Sequence, residues 1–328
     1  MVDFRYHIVS LTAVFLALAV GVILGAGPLQ NAIGDALTSD MAQLRDSNAQ
    51  LVQQNSAAQE QLDKQDDVFE AIAPSILKNT LTGKSVAIIR AAGVPDDTYS
   101  AVTAKLKLSG AQVGTVIGLT GLWTDSNQNS YRSAFAQQIS SYVKGVEAGA
   151  DADTALGTAL NQLARTGSTD ANNAMLAQMM SESDTPMLEK STKLAGAADA
   201  VLLLVPDAVS PVVSGDKQAD THAQALVDYS RTMLVKLVDT LAAKGGLVVA
   251  GAADSDGDVV TELRARSTKA ATVDAPASAL GSLNVPVAIA HTLSGKRVDL
   301  GIGTGATQAI GELRSAPQAA PAGGDAQK

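Results

Sequence analysis

Residues 85–119 read SVAIIRAAGVPDDTYSAVTAKLKLSGAQVGTVIGL, and this stretch decides the fold. The short apolar run Ser85–Arg90 predicts a buried strand. The pattern of Asp96–Leu108 predicts a helix, and Gln112–Leu119 predicts a second strand. A strand, a helix and a strand in this order form the repeating unit of parallel sheets.

The same alternation continues along the chain. A long helical stretch, Ser133–Met180, comes next. After it the pattern predicts strands at Ala198–Val205, Gly246–Ala252 and Val285–His291, with helices between them at His222–Ala243 and Val259–Arg266. We therefore expect a Rossmann-like or flavodoxin-like three-layer α/β sandwich over residues 83–314. The helices of the long stretch are expected to form a cap over the sheet. Residues 315–328 are rich in Ala, Pro, Gly and Gln and are predicted to be a disordered tail.

Residues 8–29 carry no charged side chain. Their length suits a helix that crosses about 30 Å of hydrocarbon. The alternative is a cleaved signal peptide, but Leu24 lies three residues before the best cut, after Ala26, where a small residue is expected. We therefore expect an uncleaved anchor. Arg5 precedes the span and Arg45 is the first basic residue after it, which places residues 1–7 in the cytoplasm and the remainder outside.

Small residues recur at every fourth position of this predicted span. They are Ala13, Ala17, Gly21 and Gly25. Such a stripe lets two helix backbones approach closely, as in dimers of single-span proteins. The alternative is that Ala and Gly are simply common in this chain.

A heptad pattern fills residues 30–74, between Gly34 near its start and Pro74 at its end. The d positions are Leu37, Leu44, Leu51 and Ala58, and the a positions are Met41, Asn48, Asn55, Leu62 and Phe69. Asn at a fixes the register of a coil and favours two parallel strands. The alternative is a lone amphipathic helix packed on the globular domain, but the apolar face is too narrow for that. We predict a parallel coiled coil and a homodimer.

The composition excludes several functions. The net charge is −9 and no Lys/Arg cluster occurs, so nucleic acid is not an expected partner. The absence of Cys excludes disulfides, thiolate metal sites and cysteine nucleophiles. Neither a P-loop nor a G-x-S-x-G motif is present. We therefore expect a protein that is not an enzyme and has no cofactor.

Three carboxylates follow the predicted fourth strand, where this architecture places ligands. Asp254, Asp256 and Asp258 could hold a divalent cation. The EF-hand pattern fails, because its Gly would fall at Val259 and its Glu at Ala265. We favour a strand-to-helix turn in which Asp258 caps the next helix. An enzymatic role would rest on these three residues and the fold alone.

A glycine pattern near the end matches the spacing of a dinucleotide fingerprint, with Gly301, Gly303 and Ala306. Too little chain follows to complete a βαβ unit with its acidic residue. We predict a glycine turn instead.

Methionines are the only soft metal ligands that cluster. Met175, Met179 and Met180 lie close together on a predicted helix, and thioethers suit Cu(I). Three Met on one helix more often fill a core. The histidines His7, His222 and His291 are widely separated.

The N-terminal residues resemble those of a known family. The stretches Phe4–Leu11 and Ala13–Gly21, with Leu24 and Gly25, look like the actinobacterial MctB-type copper transporters, as does the strand opening at 83–86 with Gly-Lys-Ser-Val. The resemblance implies a basic N-terminus, one apolar helix, a coiled coil and an α/β domain. No copper ligand is carried over from it, since no family ligand motif matches here.

The resemblance implies two functions. Similar proteins are associated with copper export and with a channel in the outer envelope, but one span and continuous apolar strands give conduction little support. Corynebacterial relatives, the SteB proteins, are associated with cell separation beside a membrane partner, SteA, upstream of peptidoglycan hydrolysis. We therefore carry two hypotheses: a dimeric envelope scaffold or regulator, with a SteA-like partner, and a copper export or homeostasis protein.

Overall fold

The computed structural model describes residues 4–26, 28–146, 149–208 and 214–312, without the side chains of residues 24–39. Two compact units are present, residues 1–65 and 66–328. Two helices open the chain, α1 (Phe4–Ala26) and α2 (Pro28–Leu77). The predicted tail at 315–328 and the first three residues of the predicted cytoplasmic segment 1–7 lie outside the described residues.

Among the described residues of the second unit, six strands and seven further helices follow α2. The strands are β1 (Ser85–Arg90), β2 (Gln112–Gly118), β3 (Ala200–Leu204), β4 (Leu247–Gly251), β5 (Ala271–Asp274) and β6 (Asp299–Leu300). The helices are α3 (Asp96–Leu108), α4 (Asn129–Ile139), α5 (Ala152–Thr166), α6 (Ala171–Ser181), α7 (Lys217–Ala242), α8 (Val259–Ala265) and α9 (Ala279–Leu293). All strand pairs are parallel, in the order 2-1-3-4-5-6. This flavodoxin-like order confirms the predicted class.

Helices cover both faces of this sheet. On one face α9 packs against β3, β4 and β5 and against α3. On the other face α5 contacts β1, β2 and β3, while α7 and α8 contact β4. The central strands β3 and β4 are buried along their whole length, which explains why they read as continuous apolar runs.

The helical stretch predicted between residues 133 and 180 consists of three helices, α4, α5 and α6. Asp151 caps α5 by accepting bonds from the N–H groups of Asp153 and Thr154. Helix α5 packs directly on the sheet, and α4 and α6 pack on α5. Helix α5 thus belongs to the helical layer of the sandwich, and α4 and α6 form a second layer over α5.

The predicted late strand Val285–His291 is wrong, because these residues lie inside α9. Ser278 caps this helix, and its Oγ accepts a hydrogen bond from the Gly281 N–H. Residues 281–289 are all buried, so the helix has no polar face that would reveal its period. Strands β5 and β6 were not predicted, since four and two residues are too short to show a pattern.

The apolar helix α1 is long and apolar enough, over Phe4–Ile23, to cross a membrane. The helix begins before the predicted span 8–29 and ends at Ala26. Each described side chain of α1 is exposed. These properties are those of a membrane-anchoring helix.

Helix α2 runs through Gly34 and Pro74, where the sequence pattern placed its limits, and ends at Leu77. Its last turns belong to the α/β unit, since the side chains of Ala73 and Leu77 are fully buried in the core. Asp66 Oδ1 accepts a hydrogen bond from the Ala279 N–H, and Glu70 pairs with Lys105. The last part of the predicted coil at 30–74, from Asp66 onward, is therefore packed within the α/β unit.

Acid should weaken the contact between α5 and α7 through Asp151. Burial raises the pKa of this carboxyl, but hydrogen bonds from Lys236 and Thr154 outweigh it and lower the pKa from 3.8 to about 2. Because the folded pKa is lowered, the stabilisation is present above pH 3.8 and is lost as the pH falls towards about 2. The stability difference between the wild type and Asp151→Asn, measured by thermal unfolding, should vanish over this interval. Asp184→Asn, at an exposed carboxylate, should show no such difference, and a constant difference at every pH would contradict the assignment.

Candidate functional site

A cleft of about 500 Å³ opens at the carboxyl ends of the strands, where the strand order reverses between β1 and β3. Ligands of doubly wound sheets bind at this switch point. The lining comes from the loops after β1, β2, β3 and β4 and from α7. It comprises Ala91, Ala92, Gly93, Pro95, Leu119, Thr120, Trp123, Thr124, Pro206, Asp207, Ala208, Leu226, Val227, Ser230, Arg231, Leu234, Gly257 and Val259.

The polar groups of the cleft wall mostly bind to the protein itself. Trp123 Nε1 donates to the Met187 carbonyl at 2.7 Å, and Thr120 Oγ1 donates to the Pro186 carbonyl at 2.7 Å. Ser230 Oγ donates to the Thr124 carbonyl at 3.2 Å. The side-chain donors of these three residues are therefore already engaged by main-chain carbonyls.

Arg132, which is fully buried, holds this wall in place. Its Nη1 donates to the carbonyls of Leu122 at 2.9 Å and Asp125 at 2.7 Å, on either side of Trp123. Its Nε pairs with Asp153 on α5, and its Nη2 reaches Tyr229 on α7. One guanidinium thus ties the loop after β2 to two helices.

Among the residues that line the cleft, Arg231 and the more exposed Asp207 carry charge. Its loss of hydration and the nearby carboxylates Asp258 and Asp254 raise the pKa of Asp207. Its carboxylate accepts a hydrogen bond from the Ala252 N–H and forms no ion pair with any residue that the structure describes. The cation of the cleft, Arg231, is already paired with Asp228 and Glu262.

Asp254, Asp256 and Asp258 lie in the turn between β4 and α8. The buried Asp258 carboxylate accepts bonds from the N–H groups of Asp254 at 3.0 Å, Ser255 at 2.8 Å and Ala208 at 2.9 Å. Asp258 stands at the N-cap of α8, but its side chain does not cap the helix, because it is turned back onto the preceding loop. Within residues 4–312, apart from the gaps in the description, no group of three carboxylate or His side chains, Asp256 included, is arranged to hold a metal.

The predicted glycine turn surrounds a carboxylate of the protein itself. The N–H groups of Ile302 and Gly303 donate to the Asp274 carboxylate at 3.1 and 2.8 Å. Gly301 has a φ of 128°, and a Cβ there would lie 2.0 Å from Asp274 Oδ1. Ala306 closes a turn onto the Gly303 carbonyl.

Arg264 completes the binding of that carboxylate. Its Nη1 donates to Asp274 at 2.9 Å and to the Thr304 carbonyl at 3.0 Å. Its Nε and Nη2 donate to Thr272 Oγ1 and the Leu300 carbonyl. The two charged side chains are only 2% and 3% exposed, so they form a fully buried and hydrogen-bonded ion pair.

The three methionines proposed as soft ligands differ in how far they are buried. Met180 is fully buried in the core, whereas Met175 is 48% exposed and Met179 is partly buried. Met175 and Met179 share a shallow groove with Tyr131, Phe135 and Glu182. Only two of the three thioethers are therefore brought together.

The predicted dimerisation residues lie on α1 and α2. Ala13, Ala17 and Gly21 are exposed, and a Cβ at Gly21 would meet no atom within 4 Å. Gly25 and Leu37 lie in the range 24–39, for which the structure describes the backbone alone. On α2 the heptad positions from Met41 to Leu62 are exposed; they include Met41, Leu44, Asn48, Leu51, Asn55 and Leu62, whereas Phe69 is half-buried.

Sequence reasoning did not find the residues that line the cleft, such as Trp123 and Asp207. The useful signal was their place directly after predicted strands. That signal becomes specific only when the strand order is known, because the order decides which strand ends lie next to each other.

Comparison with known proteins agrees with the N-terminal resemblance. The family model of the copper transport outer membrane protein MctB matches residues 1–310. The copper transporters MctB of Mycobacterium tuberculosis and Mycobacterium bovis are each 33% identical over 168 residues, which cover 49% of this chain and 53% of the relative. The Mycobacterium leprae protein is 29% identical over 127 residues, covering 39% of this chain and 40% of the relative. The chain thus spans about half the length, or less, of these curated relatives. Since the family model covers nearly the whole sequence, the chain belongs to the MctB family.

Proposed function

We propose that this protein is a membrane-tethered scaffold or regulator of envelope proteins, which forms a parallel homodimer through α1 and a stalk coil in α2. The N-terminus lies in the cytoplasm and the α/β unit outside the membrane. The positive-inside rule supports this orientation, because Arg5 precedes the span and no basic residue follows it before Arg45.

The observation that carries the proposal is the exposed apolar seam of α2. Leu44, Leu51 and Leu62 are 69%, 65% and 55% exposed. A row of exposed leucines at the a and d positions of a long polar helix is the surface that a second helix covers. Asn48 and Asn55 on the same seam favour a pair of parallel helices in register.

A dimeric stalk suits recruitment better than conduction. The apolar helix α1 supplies an anchor, and the seam pairs two anchors side by side. A SteA-like membrane partner and a role in cell separation, upstream of peptidoglycan hydrolysis, fit such a rod. In-cell crosslinking from the α/β unit followed by mass spectrometry would identify the partner.

The dimer should be lost when charge is placed on the seam. In full-length protein, Leu44→Asp combined with Leu51→Asp should weaken dimerisation at least about 100-fold, since each buried leucine contributes roughly 1.5–3 kcal/mol. Analytical sedimentation and chemical crosslinking would measure the loss of the dimer. Ala49→Asp combined with Gln53→Asp adds the same charge on the outer face and should leave the dimer intact.

Two outcomes would overturn the proposal. One is a wild-type chain that is monomeric at every concentration in the membrane. The other is a Leu44→Asp, Leu51→Asp variant that is monomeric and still fully functional in cells.

The names of the relatives support a second candidate, copper export or homeostasis. The thioethers of Met175 and Met179 are the soft ligands on one face of α6. If this candidate is correct, calorimetry should show Cu(I) binding tighter than about 1 µM, and Met175→Leu with Met179→Leu should abolish it. Met233→Leu is the matched control. Weaker binding, or binding unaffected by the double substitution, would exclude this pair as the copper site.

A further inference from the structure

We propose that the cleft between the carboxyl ends of β1 and β3 binds a small organic cation, an apolar body with one ammonium group, and that Asp207 is its counter-ion. This inference concerns the α/β unit alone. It goes beyond the scaffold proposal and does not depend on dimerisation of the stalk.

The position and size of the cleft are those of a small-molecule site. Its volume of about 500 Å³ falls within the roughly 300–1,000 Å³ of known ligand pockets. Its place at the reversal of strand order is where doubly wound sheets bind their ligands.

The walls favour an apolar ligand body. The side-chain donors of Thr120, Trp123 and Ser230 are all engaged by main-chain carbonyls. The remaining wall includes Leu119, Leu226 and other aliphatic side chains. A ligand with many hydrogen-bonding groups would leave most of them unpaired here, at a cost in affinity.

The helix that begins at this cleft disfavours phosphate. Doubly wound nucleotide-binding proteins place phosphate at the N-terminus of the helix after β1. Here Pro95, which has no N–H, precedes α3, and Asp96 and Asp97 occupy its first turn. Two carboxylates at this position would repel a phosphate group.

The charge of the cleft favours a cation. Asp207 lies at its edge without an ion-pair partner among the described residues, and Asp254 and Asp258 lie close enough to act on it. Arg231 is held by two carboxylates and by the Asp256 carbonyl, so its charge is already compensated. An ammonium group beside Asp207 would add a charge-assisted hydrogen bond to the one that this carboxylate accepts from the Ala252 N–H.

The chain carries its own reporter for this site, because Trp123 is its only tryptophan and lines the cleft. We would titrate full-length protein in phosphatidylcholine vesicles with phenethylamine, 2-phenylethanol and 3-phenylpropanoate, which share a ring and differ in charge. Saturable changes in Trp123 emission should give the amine an affinity about tenfold or more above that of the alcohol, with the carboxylate weakest.

Variants separate this inference from unspecific binding and from the stalk. Asp207→Asn should remove the preference for the amine while leaving the affinity for the alcohol unchanged. Asp184→Asn, which removes the same charge from an exposed site outside the cleft, should keep the preference. The monomeric Leu44→Asp, Leu51→Asp variant should also keep it.

Three results would overturn the inference. They are no saturable change with any of the three probes, equal affinities for the amine and the alcohol, and an amine preference that survives Asp207→Asn. Each of these would leave the test of the stalk dimer unaffected.

Discussion

Replacing Arg264 by methionine should lower the free energy of unfolding by about 3–5 kcal/mol, the usual effect of removing one partner of a buried ion pair. The substitution leaves the Asp274 carboxylate buried without its cation. It also removes the donors that the guanidinium supplies to the carbonyls of Leu300 and Thr304. Urea unfolding of the full-length protein, followed by Trp123 fluorescence, would measure the change.

Two controls make this prediction specific. Arg266→Met removes an arginine that is 50% exposed and should change stability by no more than about 0.5 kcal/mol. The double variant Arg264→Met, Asp274→Leu removes both charges and should recover part of the loss, because no unpaired charge remains. A loss below about 1 kcal/mol in Arg264→Met would show that the pair contributes little.

Replacing Arg132 by methionine should cost about 3 kcal/mol, because it removes a buried guanidinium that pairs with Asp153 and donates to the carbonyls of Leu122 and Asp125. The effect should also be local. Since both carbonyls flank Trp123, the emission of this residue should shift to longer wavelength in the folded variant.

Lys236→Met provides the matched control for this variant. It removes another cation that pairs with Asp153, but Lys236 is 39% exposed and holds no part of the loop after β2. It should cost less than about 1 kcal/mol and leave the Trp123 emission unchanged. Equal emission in the Arg132→Met variant and the wild type would contradict the positioning role of Arg132.

Much of the α/β unit follows from local pattern. The alternation of apolar runs with helical stretches is visible in residues 85–119 and recurs to residue 266, so the parallel sheet and its two helical layers could be predicted. Helix α9 could not, because complete burial removes the polar face from which helical period is read.

The site was less predictable than the fold, for a topological reason. Ser85–Arg90 and Ala200–Leu204 are more than a hundred residues apart, and only their direct pairing in the sheet creates the cleft. Likewise, Gly301 and Gly303 resemble a nucleotide-binding pattern until Asp274 is found inside their turn. Long-range pairing decides both features, and a periodic pattern carries no information about it.

That turn has a consequence for the evolution of this edge of the sheet. A carboxylate fixed in the fold competes within the same molecule, so its effective concentration exceeds that of any dissolved anion. The backbone N–H groups of Ile302 and Gly303 are thus occupied by the Asp274 carboxylate and cannot bind a dissolved anion. A descendant that acquired a phosphate ligand here would first have to lose Asp274, and with it the negative charge that compensates the buried Arg264 guanidinium.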